Sequence, residues 1–369
     1  MKNTTVSQQL IIIFLLCVCI VMTALFFFVY IPSTRISDDE YIAAVSETHE
    51  EPTLSHTDPI IIPSNHLSSN TTNIIFSLNV HDFVFPTRST ETVREVIRIH
   101  EQYNIPIDIY LDDQIVHAYQ ETDPEIFDLL RESEVVSVSY HVRAPNPWVN
   151  GFDTIGLQDL SPEDLFTTIT AYEEHRIDTS TGKLLEEPGG YQYLTDLLGY
   201  PPKSVGYIDI PRYGKTLAQV YSEKGAQFAV VHGRDAELGD TLHNLFVRPE
   251  HVDLKLYEHR GSDAATVLAQ AVSELPSSTD YPFIGIKMHE NNWYTVNTPF
   301  WPIYWTDPKK TTPLEPPYGV DSAAEQITIR PPFMQEEMWE LYEDTVKLIA
   351  ENTAEYEAFG LSDLEQMIE

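Results

Sequence analysis

The segment IIFSLNVHDFVFP, from Ile74 to Pro86, reads as a buried strand that ends abruptly in Asn79, His81 and Asp82. Asp and His are common turn residues, so a single such end carries little. The pattern recurs along the chain. IPIDIYLDD ends in Asp112 and Asp113, EVVSVSYH in His141, and YPFIGIKMHE in His289 and Glu290. KSVGYIDI leads to Asp209 and Arg212, AQFAVVHG to His232, and an irregular stretch to Glu258 and His259. Five of the 13 histidines fall at these ends. Imidazole and carboxylate are the ligands that zinc and similar divalent ions accept, and imidazole also exchanges a proton near neutral pH. These residue types predict a metal or proton-transfer site.

Such a site needs elements that bring strand ends together. From Asn73 onward, strand-like runs alternate with helix-like ones. STETVREVIRIHEQYN places Val93, Val96, Ile97, Ile99 and Tyr103 on one helical stripe, with Ser89 or Thr90 as cap. SPEDLFTTITAYEEH opens with Ser161 as N-cap and Pro162 in the first turn. MQEEMWELYEDTVKLIAENTAEYEAF reads as a long amphipathic helix on the outside. Repeated strand–helix units predict an α/β fold, a distorted (β/α) barrel of six to seven strands, with a doubly wound open sheet as the alternative. Either fold carries its chemistry where the strands end. The absence of a G-x-G-x-x-G or Walker loop argues against dinucleotide or nucleotide binding.

The barrel occupies residues 73–369. Ahead of it lie a short tail (1–9), an uncharged apolar run (10–31) and a polar stretch (32–72) that reads as a flexible stalk. The run Leu10–Ile31 has 22 residues. At about 1.5 Å per residue it spans roughly 33 Å, enough to cross a bilayer. It exceeds a signal-peptide core and is followed by no small-residue cleavage site, which predicts one uncleaved transmembrane helix. The expected arrangement is a single-pass protein of the cell membrane, with the C-terminal domain outside the cytoplasm. Cys17 and Cys19 both lie in the apolar run, so the rest of the chain forms no disulfide. After residue 31 stand 21 basic against 57 acidic residues, a net of −36 with His neutral. A surface so acidic repels nucleic acid and anionic lipid. No protein partner is indicated.

The order of elements resembles the NodB-type polysaccharide deacetylase family, a group of distorted (β/α) barrels, over roughly residues 73–295. In that family the first strand ends in T-F-D-D, the first Asp serving as base and the second binding the metal. NVHD at Asn79–Asp82 has His81 at the base position and Asp82 at the ligand position. The H-[ST]-x-x-H motif, whose two His bind metal, is met at His141 in SYHVRAPNPW, but its second position is Pro145. IDIPRYG corresponds loosely to a groove-lining R-x-P segment, and IKMHENNWY places His289 where the family has its general acid. The resemblance implies Asp82 and His141 as ligands of a divalent ion, zinc by ligand type. The third ligand is His81, another strand-end His, or none if the metal has been lost.

On that reading the substrate is an acylated polysaccharide. His81 or Asp113 would take a proton from water and His289 would protonate the leaving group. Arg143 and Arg212 are candidates to hold an anionic group. Trp148 and Trp293, in loops after strand ends, are candidates to stack on sugar rings or to plug the loop-side core. Two other readings stay open. One is a metal-free glycosidase with Asp112, Asp113 and Glu290 as its carboxylates. The other is a glycan-binding barrel without catalysis.

Overall fold

Strand β1 (Thr72–Val80) is a nearly unbroken run of buried residues, the mark of a strand covered on both faces. It belongs to the compact unit His49–Glu369. The computed structural model describes residues 54–55, 71–142, 157, 160–206, 213–231, 235–277, 279, 281–308, 312 and 314–368. The apolar run at 10–31 and nearly all of the stretch at 32–72 lie outside the described residues. Among the described residues no helix is long and apolar enough to cross a membrane.

Helix α1 (Pro86–Tyr103) starts at Pro86, whose fixed φ suits a first helical turn. Ser89 and Thr90, the expected caps, are buried inside it instead. Strand β2 (Ile107–Leu111) runs straight into α2 (Asp113–Thr122), a helix the sequence pattern does not mark. Asp112 creates it, its carboxylate accepting from the Ile115 N–H at 3.0 Å. After α3 (Ile126–Glu132) and β3 (Val136–His141), α4 (Pro162–Tyr172) begins on Ser161 as expected, the hydroxyl accepting from the Asp164 N–H at 3.1 Å.

An antiparallel hairpin, β4 (His175–Ile177) and β5 (Leu184–Pro188), is followed by α5 (Gly190–Leu198), β6 (Ser204–Gly206), α6 (Gly214–Glu223) and β7 (Phe228–Val230). The irregular section holds β8 (Thr241–Leu242), β9 (Leu245–Val247) and β10 (Val252–Lys255). Helix α7 (Ala264–Glu274) and strand β11 (Phe283–His289) come next, then α8 (Pro332–Glu351), β12 (Tyr356–Ala358) and α9 (Leu361–Ile368).

The main sheet runs β10-β11-β1-β2-β3-β6-β7-β9-β8, and β12 adds to the start of β1 beside the point where β2 takes over. Among the described residues only the β8–β9 pair is antiparallel in it. The path ends at β10 and β8, so the sheet is a curled, open half-barrel whose path has nine strands among the described residues, with β12 a tenth beside β1, where the strand count predicted six or seven. The extra strands are short pieces of the irregular section, too brief to show a period.

Alternation assigns each strand residue to a face. Phe76 of β1 turns to the helices, 5.0 Å edge-on from His100 and 6.3 Å from Tyr342. Its neighbours Ile75, Ser77, Asn79 and His81 therefore face the concave side. In β3, Tyr140 packs on Tyr191 and Tyr221, which leaves Ser139 and His141 on the concave side. The foot of that side is closed by an apolar cluster of Ile75, Phe228, Phe283, Phe359, Leu361, Leu364 and Met367. Above the plug the lining turns polar. Ser139 donates to Asp108 at 2.5 Å, Tyr110 meets Ser204 at 2.8 Å, and Arg248 pairs with Glu250 at 3.1 Å. Gly285 leaves room there, because a Cβ would overlap the buried Glu250 carboxylate.

Candidate active site

Three of the five strand-end histidines converge. His81 follows β1, while His141 and His289 close β3 and β11. Parallel pairing sets Asn79 beside His289, so the ends of β1 and β11 lie at one level. His81 and His289 have ring centres 4.9 Å apart, with His81 Nε2 3.3 Å from His289 Nδ1. His141 stands on the other side, 6.1 Å from His81 between ring centres. All three are buried.

A contact between two ring nitrogens needs one proton between them, so one imidazole donates and the other accepts. His141 Nδ1 lies 3.0 Å from the Val142 carbonyl oxygen, which can only accept. That nitrogen therefore carries a proton. Phe300 stands perpendicular to His81 at 5.4 Å, and Tyr257 perpendicular to His289 at 5.7 Å. The centre thus has aromatic walls.

The backbone behind it is held by a buried acid pair. Glu290 Oε1 accepts from the His81 N–H at 2.6 Å and from the Asp82 N–H, locking the end of β1 to the end of β11. Asp82 Oδ1 accepts from the Val84 and Phe85 N–H groups at 3.0 and 3.2 Å, and Oδ2 accepts from the Tyr294 hydroxyl at 2.6 Å. Burial drives both acids toward the neutral form, and the Asp82 charge adds to the effect on Glu290. Asp82 is raised to about 7 and Glu290 to about 8.

These bonds revise the site inferred from the residues. Asp82 points to the helix side, and its two oxygens take three protein donors. It does not fit a metal ligand set with His141. The nitrogens of His81 and His289 are about as far apart as two donors each about 2.0–2.1 Å from one tetrahedral cation. Among the described residues, however, no group of three or more His, Cys, Asp or Glu has the geometry to hold an ion.

Asp113 also turns outward, accepting from the Gly190 N–H at 2.6 Å and pairing with His117 at 3.2 Å. It braces α2 against α5. Trp293 is core, not groove wall. It is 1% exposed, stacks on Trp339 at 4.5 Å and meets Tyr342 edge-on at 5.1 Å. His259 lies in a groove beside β10 and α7. Arg143, Trp148, Arg212, Asp209 and His232 lie outside the described residues.

No family model and no curated protein matches the sequence. Solved structures do. Polysaccharide deacetylases are among the folds it resembles. The chain is similar to a peptidoglycan deacetylase, PdaC of Bacillus subtilis, at 12% identity and a TM-score of 0.35, over 82% of this chain and 93% of that one. It is similar to a 4-alpha-glucanotransferase of Thermococcus litoralis at 14% identity and a TM-score of 0.43, over 80% of this chain. It spans only 40% of the glucanotransferase's length. A pseudoenzyme of the CE4 family from Bacillus anthracis matches at 8% identity and a TM-score of 0.33, over 61% of this chain and 58% of that one.

Glu290 as a clamp, Tyr294 as its neighbour and the outward turn of Asp82 and Asp113 were hidden in the order of residues. Alternation holds a signal for part of this. Counting back from His81 through Asn79 and Ser77, or from Asp112 through Tyr110 and Asp108, puts His81 and Asp112 on one face. Asp82 and Asp113 then fall on the other.

Proposed function

We propose that the protein is a carbohydrate acyl hydrolase that releases acetyl groups from an envelope or extracellular polysaccharide. The observation that carries this is the His81–His289 contact at 3.3 Å, with His141 beside it on the same concave face. Two imidazoles sharing one proton form an acid and a base in reach of one substrate bond. The neutral ring takes a proton from water as its oxygen attacks the acyl carbon. The protonated ring gives a proton to the leaving amine or alkoxide as the carbon–heteroatom bond breaks. The products are acetate and the free amino or hydroxyl sugar, and the pair is left with the proton count it began with. His141 stands beside the pair on the same face, where its ring can orient the water.

Supporting the reading are the polar concave lining and the partial NodB-type pattern at His81 and His289. Asp82 does not fit the ligand role that pattern implies, so the proton steps are assigned to imidazoles alone. The glycosidase alternative loses its pair: Asp112 caps α2, Asp113 bonds to Gly190, and Glu290 bonds to the backbone of β1. The span 10–31 is proposed as the anchor that holds the domain at the outer face of a membrane. Acetate release from acetylated glycans, compared between the native protein and His289→Ala, tests the function. Release that is absent, or unchanged in the variant, overturns it.

A further inference from the structure

Outside the concave site, a half-open hollow of about 300 Å³ lies between α1, α8 and the turn Glu290–Trp293. Trp293, Tyr294 and Trp339 form its aromatic side, and Arg88, Glu91 and Gln335 are among its polar side. Trp293 and Trp339 are stacked at 4.5 Å with planes 27° apart, so the buried Trp293 backs the half-buried Trp339, which is the indole surface of the hollow. Trp339 is half-buried, while Arg88 and Glu91 are exposed. The Trp293 Nε1–H is buried and has no acceptor among the described residues. An indole N–H out of water normally has a partner, and leaving one unmade costs roughly 1–3 kcal/mol.

A wall that is aromatic on one side and carries planar charged and amide groups on the other matches one ligand chemistry closely. A pyranose ring has an apolar C–H face and a rim of hydroxyls. Stacking satisfies the first; guanidinium, carboxylate and amide groups satisfy the second. The volume is at the small end for ligand sites, enough for about one sugar unit. A lipid tail would leave the polar side unpaired, and a phosphate would meet Glu91 and Glu95.

We propose that this hollow is a second glycan subsite, taking one hexopyranose unit of the polymer with its face on Trp339 and a hydroxyl on the Trp293 indole N–H. The subsite is back to back with the histidine centre. Tyr294 lines the hollow, and its hydroxyl holds Asp82. This inference rests on the reading of the protein as acting on glycan, but it concerns binding alone and can survive if hydrolysis is absent.

The test is ¹⁹F NMR of the full chain carrying 5-fluorotryptophan, with the Trp293 and Trp339 signals assigned through Trp293→Phe and Trp339→Phe. The probe is the fully N-acetylated glucosamine tetramer. The subsite predicts saturable shifts of both signals, in the native protein and equally in His289→Ala. An Arg88→Ala, Glu91→Ala double variant, changed only at exposed positions, weakens that binding about tenfold or more while the fold is intact. Signals that stay fixed up to the solubility limit of the sugar overturn the proposal. So do shifts that vanish with His289→Ala, or that persist undiminished in the double variant.

Discussion

His81 Nε2 lies 3.3 Å from His289 Nδ1, although the two residues are 208 positions apart in the chain. Parallel pairing of β1 with β11 makes the contact, and Glu290 fixes it by bonding to the His81 and Asp82 backbone. The two rings work as a unit only if one is neutral and the other protonated. Activity should therefore follow a bell-shaped pH profile, falling on each side as the pair gains or loses its shared proton. His81→Ala and His289→Ala should each lower kcat/KM by about 10²–10⁴. The double variant should be little worse than either single one, since a broken pair cannot be broken again. Fully multiplicative losses would show two independent residues.

Asp82 offers a separate test of what the strand-end acid does. Its oxygens are bonded to Val84, Phe85 and Tyr294. Asp82→Ala should lower stability by about 1–3 kcal/mol, read from denaturant unfolding, because buried donors lose their acceptor. The divalent ion content of the purified chain, measured by elemental analysis, should be the same with and without the substitution. Loss of an ion on Asp82→Ala in a folded protein would return Asp82 to a ligand role.

Trp293 separates core from groove. Trp293→Ala should cost about 3–5 kcal/mol of stability by leaving a cavity beside Trp339 and Tyr342. Trp293→Phe keeps most of the volume, and it should leave KM unchanged for an acetylated monosaccharide, which is too short to occupy the hollow and the concave site together. A large rise in KM with unchanged stability would make Trp293 a wall of that site.

Much of the architecture was legible because it rests on patterns longer than a turn. The stripe of Val93, Val96, Ile97 and Ile99 and the Ser161 cap marked their helices, and the buried runs of β1, β3 and β11 marked the sheet. The convergence of His81, His141 and His289 followed from those runs ending together. What stayed hidden depends on single bonds. The Asp112 side chain turns a strand end into α2, and only the face of each residue tells Asp112 from Asp113. β12 is three residues long and pairs with β1 from the far end of the chain, so no local pattern announces it. The hairpin β4–β5 is short and mostly exposed, and burial gives it no period.

Buried carboxyls make stability depend on pH in a definite sense. Glu290 sits at about 8 and Glu173, bonded to Tyr221 and the Tyr191 N–H, at about 7, both above the ordinary 4.5, and burial is the main cause. Between the ordinary and raised values the unfolded chain has lost protons that the folded chain keeps. Their contribution is therefore full below about pH 4.5 and is lost as pH rises toward 7–8. Tm should be higher at pH 5 than at pH 8.5. Glu290→Gln, which keeps an acceptor oxygen for the His81 N–H, should flatten that difference, and Glu173→Gln should do so independently. A slope unchanged in both variants would place its origin elsewhere.

The most direct test of the central claim is acetate release by the 369-residue chain from N-acetylated and O-acetylated polysaccharide, beside His81→Ala and His289→Ala. The His81–His289 pair predicts stoichiometric release of acetate with free amino or hydroxyl sugar by the native chain. In either variant release should fall by about 10²-fold or more while the fold is retained. No acetate from any acetylated glycan, or equal release by both variants, would contradict the assignment of this centre as an acyl hydrolase.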